Sequence, residues 1–194
     1  MATANYMYCG GPHIRRKDVS TVEVDPTVTS IDGFAFHGWS SLKNIELHPT
    51  IASLGYGVFE GCSSLSSVTI PPSITYLGYG VFLGCSSLTS VTLPASVKSL
   101  GNGVFNGCSS LTSITLPPTI TSLGKGVFCN CSSLTSVILP PTIRSLDEYV
   151  FEGCSSLSII NLPSTIATLG YRVFGNCYSL TSVRLPENLS TVSI

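Results

Sequence analysis

A 23-residue unit recurs in constant phase from Val19 to the end of the chain. Leu42, Leu65, Leu88, Leu111, Leu134, Leu157 and Leu180 mark successive units, with Val19 at the same phase before the first. A fixed period of this size, with apolar residues locked in phase, is the signature of a solenoid of stacked coils. One unit cannot bury its own apolar face, so its neighbours must cover it. The expected architecture is therefore a repeat solenoid of about eight coils, with seven full units and a partial eighth over residues 19–194.

Residues 88–110 show how one coil is built. After Leu88, the stretch Thr89-Ser90-Val91-Thr92-Leu93 alternates, so Val91 and Leu93 face inward and Ser90 and Thr92 face out, as in a half-buried strand. Pro94 has no N–H for a ladder and ends the strand. Val97 and Leu100 point inward from a second short extended piece, and Gly101 marks a turn. Asp32 and Asp147 replace glycine at that phase, and aspartate also favours turns. Val104 and Phe105 then pack inward from what is expected to be a short helical or 3₁₀ turn. Before each in-phase cysteine stands Gly61, Gly84, Gly107, Asn130, Gly153 or Asn176. A choice restricted to glycine and asparagine predicts a positive φ. Eight parallel strands follow, centred on Val22, Ile45, Val68, Val91, Ile114, Val137, Ile160 and Val183. Equal phases put like beside like: a leucine column, a phenylalanine column from Phe36 to Phe174, and a cysteine column.

The consensus L-x-x-V-x-L-P-x-[ST]-I-x-x-L-G-x-x-V-F-x-G-C-S-S resembles the BspA-type leucine-rich repeat over residues 19–194. The proline after the strand, the Val-Phe pair and the Gly-Cys-Ser-Ser ending carry the resemblance. It implies a leucine-rich-repeat stack of parallel β-strands used as a binding scaffold, with no catalytic residues to carry over. Members of the family are found in bacteria and unicellular eukaryotes, and many are surface proteins implicated in adhesion. Here the first residues carry no basic segment followed by an apolar one, and no apolar run approaches the ~20 residues of a membrane helix. The chain is accordingly expected inside the cell, or at its surface if a leader was removed, and not inserted in a membrane.

Charge narrows the partners. Nine basic residues balance ten acidic ones for a net charge of −1, which gives no basic face for nucleic acid. Only 10% of residues are charged, so serine and threonine must cover most of the surface. His13, His37 and His48 share no phase and have no nucleophile or carboxylate placed beside them by the repeat. No catalytic residue, metal site or cofactor is therefore expected. The Gly-x-Gly pieces Gly55-Tyr56-Gly57 and Gly78-Tyr79-Gly80 suggest phosphate loops, but they recur coil after coil and read as turns.

Six of the eight cysteines (Cys62, Cys85, Cys108, Cys131, Cys154 and Cys177) share one phase, which Trp39 fills in the first coil. An apolar substitute points to reduced, packed thiols that act as small hydrophobes. Cys129 is out of phase, should be more exposed than Cys131, and is the candidate reactive thiol. Cys9 belongs to the N-terminal segment, residues 1–18, expected to cap the stack with His13 to Lys17 as its polar part.

Two outward columns run along the first strand. One is Thr21, Asn44, Ser67, Ser90, Ser113, Ser136, Ile159 and Ser182; the other is Glu23, Glu46, Thr69, Thr92, Thr115, Ile138, Asn161 and Arg184. Ile138 and Ile159 interrupt an otherwise polar face and lie within diagonal reach. With Thr115, Asn161 and Arg184 as a polar rim, they form the candidate site for a protein partner. Tyr56, Tyr79, Asn102, Lys125, Glu148 and Tyr171 form a second variable surface beside the turns. The Ser/Thr array admits ice binding as a remote option. An uncovered last coil, with Val183, Leu185, Leu189 and Val192, admits end-to-end self-association into a filament.

Overall fold

The computed structural model describes residues 4–11, 16 and 18–192. They form an alternation of short strands and turns, with sixteen strands named β1 to β16 in chain order. The first column holds β1 (Ala4–Tyr8), β2 (Val19–Val24), β4 (Asn44–Glu46), β6 (Ser67–Thr69), β8 (Ser90–Thr92), β10 (Ser113–Thr115), β12 (Ser136–Ile138) and β14 (Ile159–Asn161). The second holds β3 (Ser30–Ile31), β5 (Ser53–Leu54), β7 (Tyr76–Leu77), β9 (Ser99–Leu100), β11 (Ser122–Leu123), β13 (Ser145–Leu146), β15 (Thr168–Leu169) and β16 (Thr191–Val192). Every strand pair is parallel, and between consecutive coils each residue faces its equivalent one repeat away, as Ser113 faces Ser136 and Leu123 faces Leu100. The expected eighth strand of the first column is reduced to a single bridge between Asn161 and Arg184. At the other end β1 adds in parallel to β2, with Tyr6 facing Val22 and Tyr8 facing Val24. Of the polar piece His13 to Lys17, only Arg16 lies among the described residues; its guanidinium sits 4.4 Å from the centre of the Tyr6 ring.

One continuous core runs the length of the stack. Val22, Ile45, Val68, Val91, Ile114, Val137 and Ile160 are buried, while the residues on either side of each from β4 to β14 are exposed. The phenylalanine rings from Phe36 to Phe174 stack nearly parallel, with centroids 5.3 to 5.9 Å apart. That spacing exceeds the roughly 4.8 Å between strands, so the rings are offset, the arrangement their quadrupoles favour. Tyr8 meets Phe36 edge-on at 5.1 Å and continues the aromatic spine into β1.

The segment carrying the Val-Phe pair is a chain of turns and not the short helix expected. Its amides show why. Gly57, Phe59 and Gly61 donate upward to the carbonyls of Tyr79, Val81 and Leu83 in the next coil, at 2.9, 2.9 and 2.7 Å. The amides of Glu60 and Cys62 bond locally, to Gly57 and Phe59. A helix needs consecutive amides within its own segment; here every second one is committed to the neighbour. Positive φ at Gly57 (57°) and Gly61 (71°) reverses the local handedness twice in five residues.

The positive φ expected before the in-phase cysteines is present, from 57° at Asn176 to 74° at Gly107. At the Gly101 phase the chain turns as expected, without positive φ, and the coil beneath approaches closely. A Cβ on Gly124 would lie 2.7 Å from the Asn102 nitrogen and 2.8 Å from the Gly101 carbonyl carbon. The hydroxyls of the [ST] position also work between coils: Ser96, Thr119 and Thr165 donate to the carbonyls of Ile74, Val97 and Ile143 at 2.7 to 2.8 Å. Each closes a bond that water would otherwise have to supply.

Candidate functional site

The strand face brings the proposed partner residues together. β10, β12 and β14 form one sheet in which Thr115 faces Ile138, Ile138 faces Asn161, and Asn161 bridges to Arg184. Ile159 faces Ser136, so Ile138 and Ile159 are diagonal neighbours on the same exposed surface. Ile138 is 82% exposed and Ile159 61%. Both keep the alternation of their strands, with Val137 and Ile160 beneath them in the core, so the exposure follows from the pleat. Arg184 is exposed beside them and forms none of the ion pairs found among the described residues.

The same face is not an even lattice. Ladder pairing joins β2 to β4, β6 to β8, and β10 through β14, but lapses between β4 and β6 and between β8 and β10. A concavity of about 460 Å³ lies at the first seam, lined by Glu46, His48 and Thr69 among others. Another of about 440 Å³ lies at the second, beside Thr92 and Thr115. His48 is held in place: its Nε2 lies 3.1 Å from the Asp25 carbonyl and its Nδ1 contacts the Thr50 hydroxyl. His37 lies 3.9 Å from Glu60.

The cysteine column does more than fill space. The thiols of Cys62, Cys85, Cys108, Cys131, Cys154 and Cys177 each donate to the carbonyl of the phenylalanine 26 residues earlier, at 3.0 to 3.2 Å. A cysteine therefore suits the position twice, as a small buried group and as a weak donor to an inter-coil carbonyl. Trp39, in the first coil, is equally buried, but its indole N–H has no partner among the described residues. Burial pushes the thiols of Cys62 and Cys108 up to about 12 and that of Cys177 up to about 11. Cys129 is more exposed than Cys131, as its phase implies. Burial, and secondarily the Glu152 carboxylate, nevertheless raise its pKa. A reactive cysteine needs the opposite shift, toward thiolate, so the surroundings of Cys129 work against the reactivity expected of it.

A third feature lies on the turn side and was only half visible in the sequence. Phe34, Gly57, Gly80, Gly103, Gly126, Tyr149 and Arg172 occupy one phase and all have φ between 50° and 62°. Where this column is glycine, the surface loses side chains. Gly103 and Gly126 lie in a groove of about 360 Å³, walled by Tyr79, Asn102 and Lys125 on one side and Leu83, Asn106 and Cys129 on the other, with Tyr149 and Glu152 at one end. The variable positions Tyr79, Asn102 and Lys125 signalled one wall. The floor needed the backbone angles.

Among the described residues no group of acidic, histidine and cysteine side chains is arranged to hold a metal ion. No described helix is long and apolar enough to cross a membrane.

Comparison with known proteins agrees with this geometry. Residues 15–109 and 79–194 match the BspA type leucine rich repeat region, in six copies. No curated protein matches the chain. Among solved structures, a leucine-rich repeat protein from T. pallidum is 30% identical, with a TM-score of 0.78 over 84% of this chain and 78% of that one. A leucine-rich repeat protein from Bacteroides ovatus is 32% identical, with a TM-score of 0.86 over 89% of this chain. This chain spans only 47% of that protein's length. The pneumococcal vaccine antigen PcpA shares the fold alone, at 16% identity and a TM-score of 0.61, over 98% of this chain and 68% of its own. The repeat, the parallel stack and these likenesses together establish that the chain belongs to the BspA-type leucine-rich repeat family.

Proposed function

We propose that the protein is a non-catalytic scaffold that recognises a protein partner through its strand face. One observation carries the reading: Ile138 and Ile159, diagonal neighbours on β12 and β14, stay exposed in a strand face whose other outward positions are polar or charged. An apolar centre ringed by polar groups is the common anatomy of a specific interface. Thr115, Asn161 and Arg184 supply that ring. Arg184 directs the edge of the partner that carries a carboxylate toward the last coils. A rigid sheet suits this use because its side chains are already ordered, which lowers the entropy lost on association.

The test is affinity capture from native lysate with the wild type and with the double variant Ile138→Asp and Ile159→Asp. Both side chains project into solvent, so the variant should keep the wild-type circular dichroism and melting temperature. The expected result is a partner recovered by the wild type and lost by the variant, with at least about tenfold weaker binding for two buried hot-spot residues. Equal recovery by both proteins would dismiss the patch.

A further inference from the structure

The groove on the turn side has no part in the strand-face reading, and its chemistry differs from it. Its floor is backbone. A Cβ built on Gly103 would lie 3.7 Å from the nearest heavy atom and on Gly126 3.4 Å, ordinary contact distances, so a side chain there would be admitted without a clash. At Gly57 the same space is taken, because the Phe34 ring lies where a Cβ would be. At the other end Tyr149 stands in the column, packed edge-on against Tyr171 at 5.6 Å. Tyr149 holds φ at 62°, a conformation costly for a side-chain-bearing residue and one that persists where surrounding structure enforces it. The trough is thus bounded along the stack by aromatic rings and left empty across the coils between them.

Its polar groups point to the ligand. The charges are internally matched: Lys125 Nζ lies 3.0 Å from Glu148 Oε2, and Arg172 Nη2 lies 2.8 Å from Glu152 Oε1. A nucleotide, a phosphate or an organic cation would meet no uncompensated counter-charge. Asn102 Oδ1 already accepts from the Lys125 amide at 3.0 Å, which leaves its amide hydrogens to donate. The half-buried Asn106 side chain has no hydrogen-bond partner among the described residues. Tyr79 is 51% exposed and offers a ring face as well as a hydroxyl. Aromatic faces, two amides able to donate and accept, and no net charge suit a ligand with an apolar ring face and a rim of hydroxyls. The groove volume of about 360 Å³ lies near the lower end of small-molecule sites, roughly 300–1,000 Å³.

We propose that this groove, floored by Gly103 and Gly126 and lined by Tyr79, Asn106 and Tyr149, binds a neutral mono- or disaccharide. The sugar ring stacks on tyrosine while Asn102 and Asn106 bond its hydroxyls. The groove is shallow and open, so affinity for one disaccharide is weak, with a Kd on the order of 1 mM.

The full chain, ¹⁵N-labelled, is titrated by NMR with maltose, cellobiose, lactose and diacetylchitobiose, and separately with an uncharged tyrosine-containing peptide. The expected result is a saturable shift with at least one sugar, centred on the amides of Gly103, Asn106, Gly126 and Tyr149. Gly103→Asn fills the floor with a residue that tolerates its φ and should abolish the shift. Asn106→Leu, a change at a half-buried surface position, should weaken binding about fivefold or more. The proposal is overturned by no saturable shift with any of the sugars, by shifts centred elsewhere, by binding that both variants leave intact, or by the peptide occupying the groove while the sugars do not. Loss of the Ile138 and Ile159 patch leaves this titration unchanged, so the two readings fail separately.

Discussion

Glycine serves two different purposes in the middle coils, and residue type alone does not separate them. Gly103 is needed for its backbone angle, φ 62°, in surroundings that would admit a Cβ without a clash. At Gly124 the backbone of the coil beneath comes within 2.7 Å of where a Cβ would stand, although one coil on Asp147 carries a side chain at the same phase. Gly103→Ala should therefore cost only the left-handed penalty, about 1–2 kcal/mol. Gly124→Ala should cost more, about 2–3 kcal/mol, because the backbones of two coils must part. Urea unfolding of both variants checks the order; a larger loss for Gly103→Ala would contradict this assignment. The sequence showed both glycine columns, and it placed the positive φ before the cysteines correctly. It placed a turn at the Gly101 phase, but the close approach of the coil one repeat away is invisible along the chain.

At the scale of an element, burial shifts every thiol of the cysteine column in the same direction. An unfolded thiol ionises near its ordinary value of 9.0, whereas burial holds Cys62 and Cys108 to about 12 and Cys177 to about 11. Burial shifts Cys85, Cys131 and Cys154 in the same direction. Between those values the unfolded chain has released protons that the folded protein retains. The stabilising contribution is complete below pH 9.0 and is lost as pH rises through the folded values, by up to about 1.4 kcal/mol per pH unit for each thiol. The urea midpoint should fall steeply above pH 9.0, and the double variant Cys85→Ala and Cys131→Ala should start lower but fall less steeply. A midpoint of the wild type that stays level up to pH 11 would refute the column's role. That these cysteines are inward was legible from Trp39 at their phase. Their bonds to phenylalanine carbonyls were not, since those depend on how far one coil rises over the last.

For the whole molecule, stability is a sum over neighbouring coils. Excising residues 88–110 joins Ser87 to Leu111, which restores the repeat phase, because Ser110 precedes Leu111 in the native chain. The shortened protein should fold, with the same circular dichroism per residue and a melting temperature lower by several degrees. Removing residues 88–99 instead joins two different phases and should leave no cooperative melt. Equal behaviour of the two deletions would mean that the coils do not stack in register. Cooperative stacking also explains how exposed strands of only three residues persist: each is held by parallel partners and by a core shared with the next coil.

The sequence by itself determined which side chains lie over one another. A constant 23-residue phase allows no other stacking, and strand alternation then decides inside from outside. Tertiary structure decided what passes between the coils: the alternate amides that replaced a helix with turns, the thiol bonds, the seams in the strand face and the glycine-floored groove. Those features depend on the rise and tilt of one coil against the next, and a periodic pattern fixes the repeat of that geometry without fixing its size.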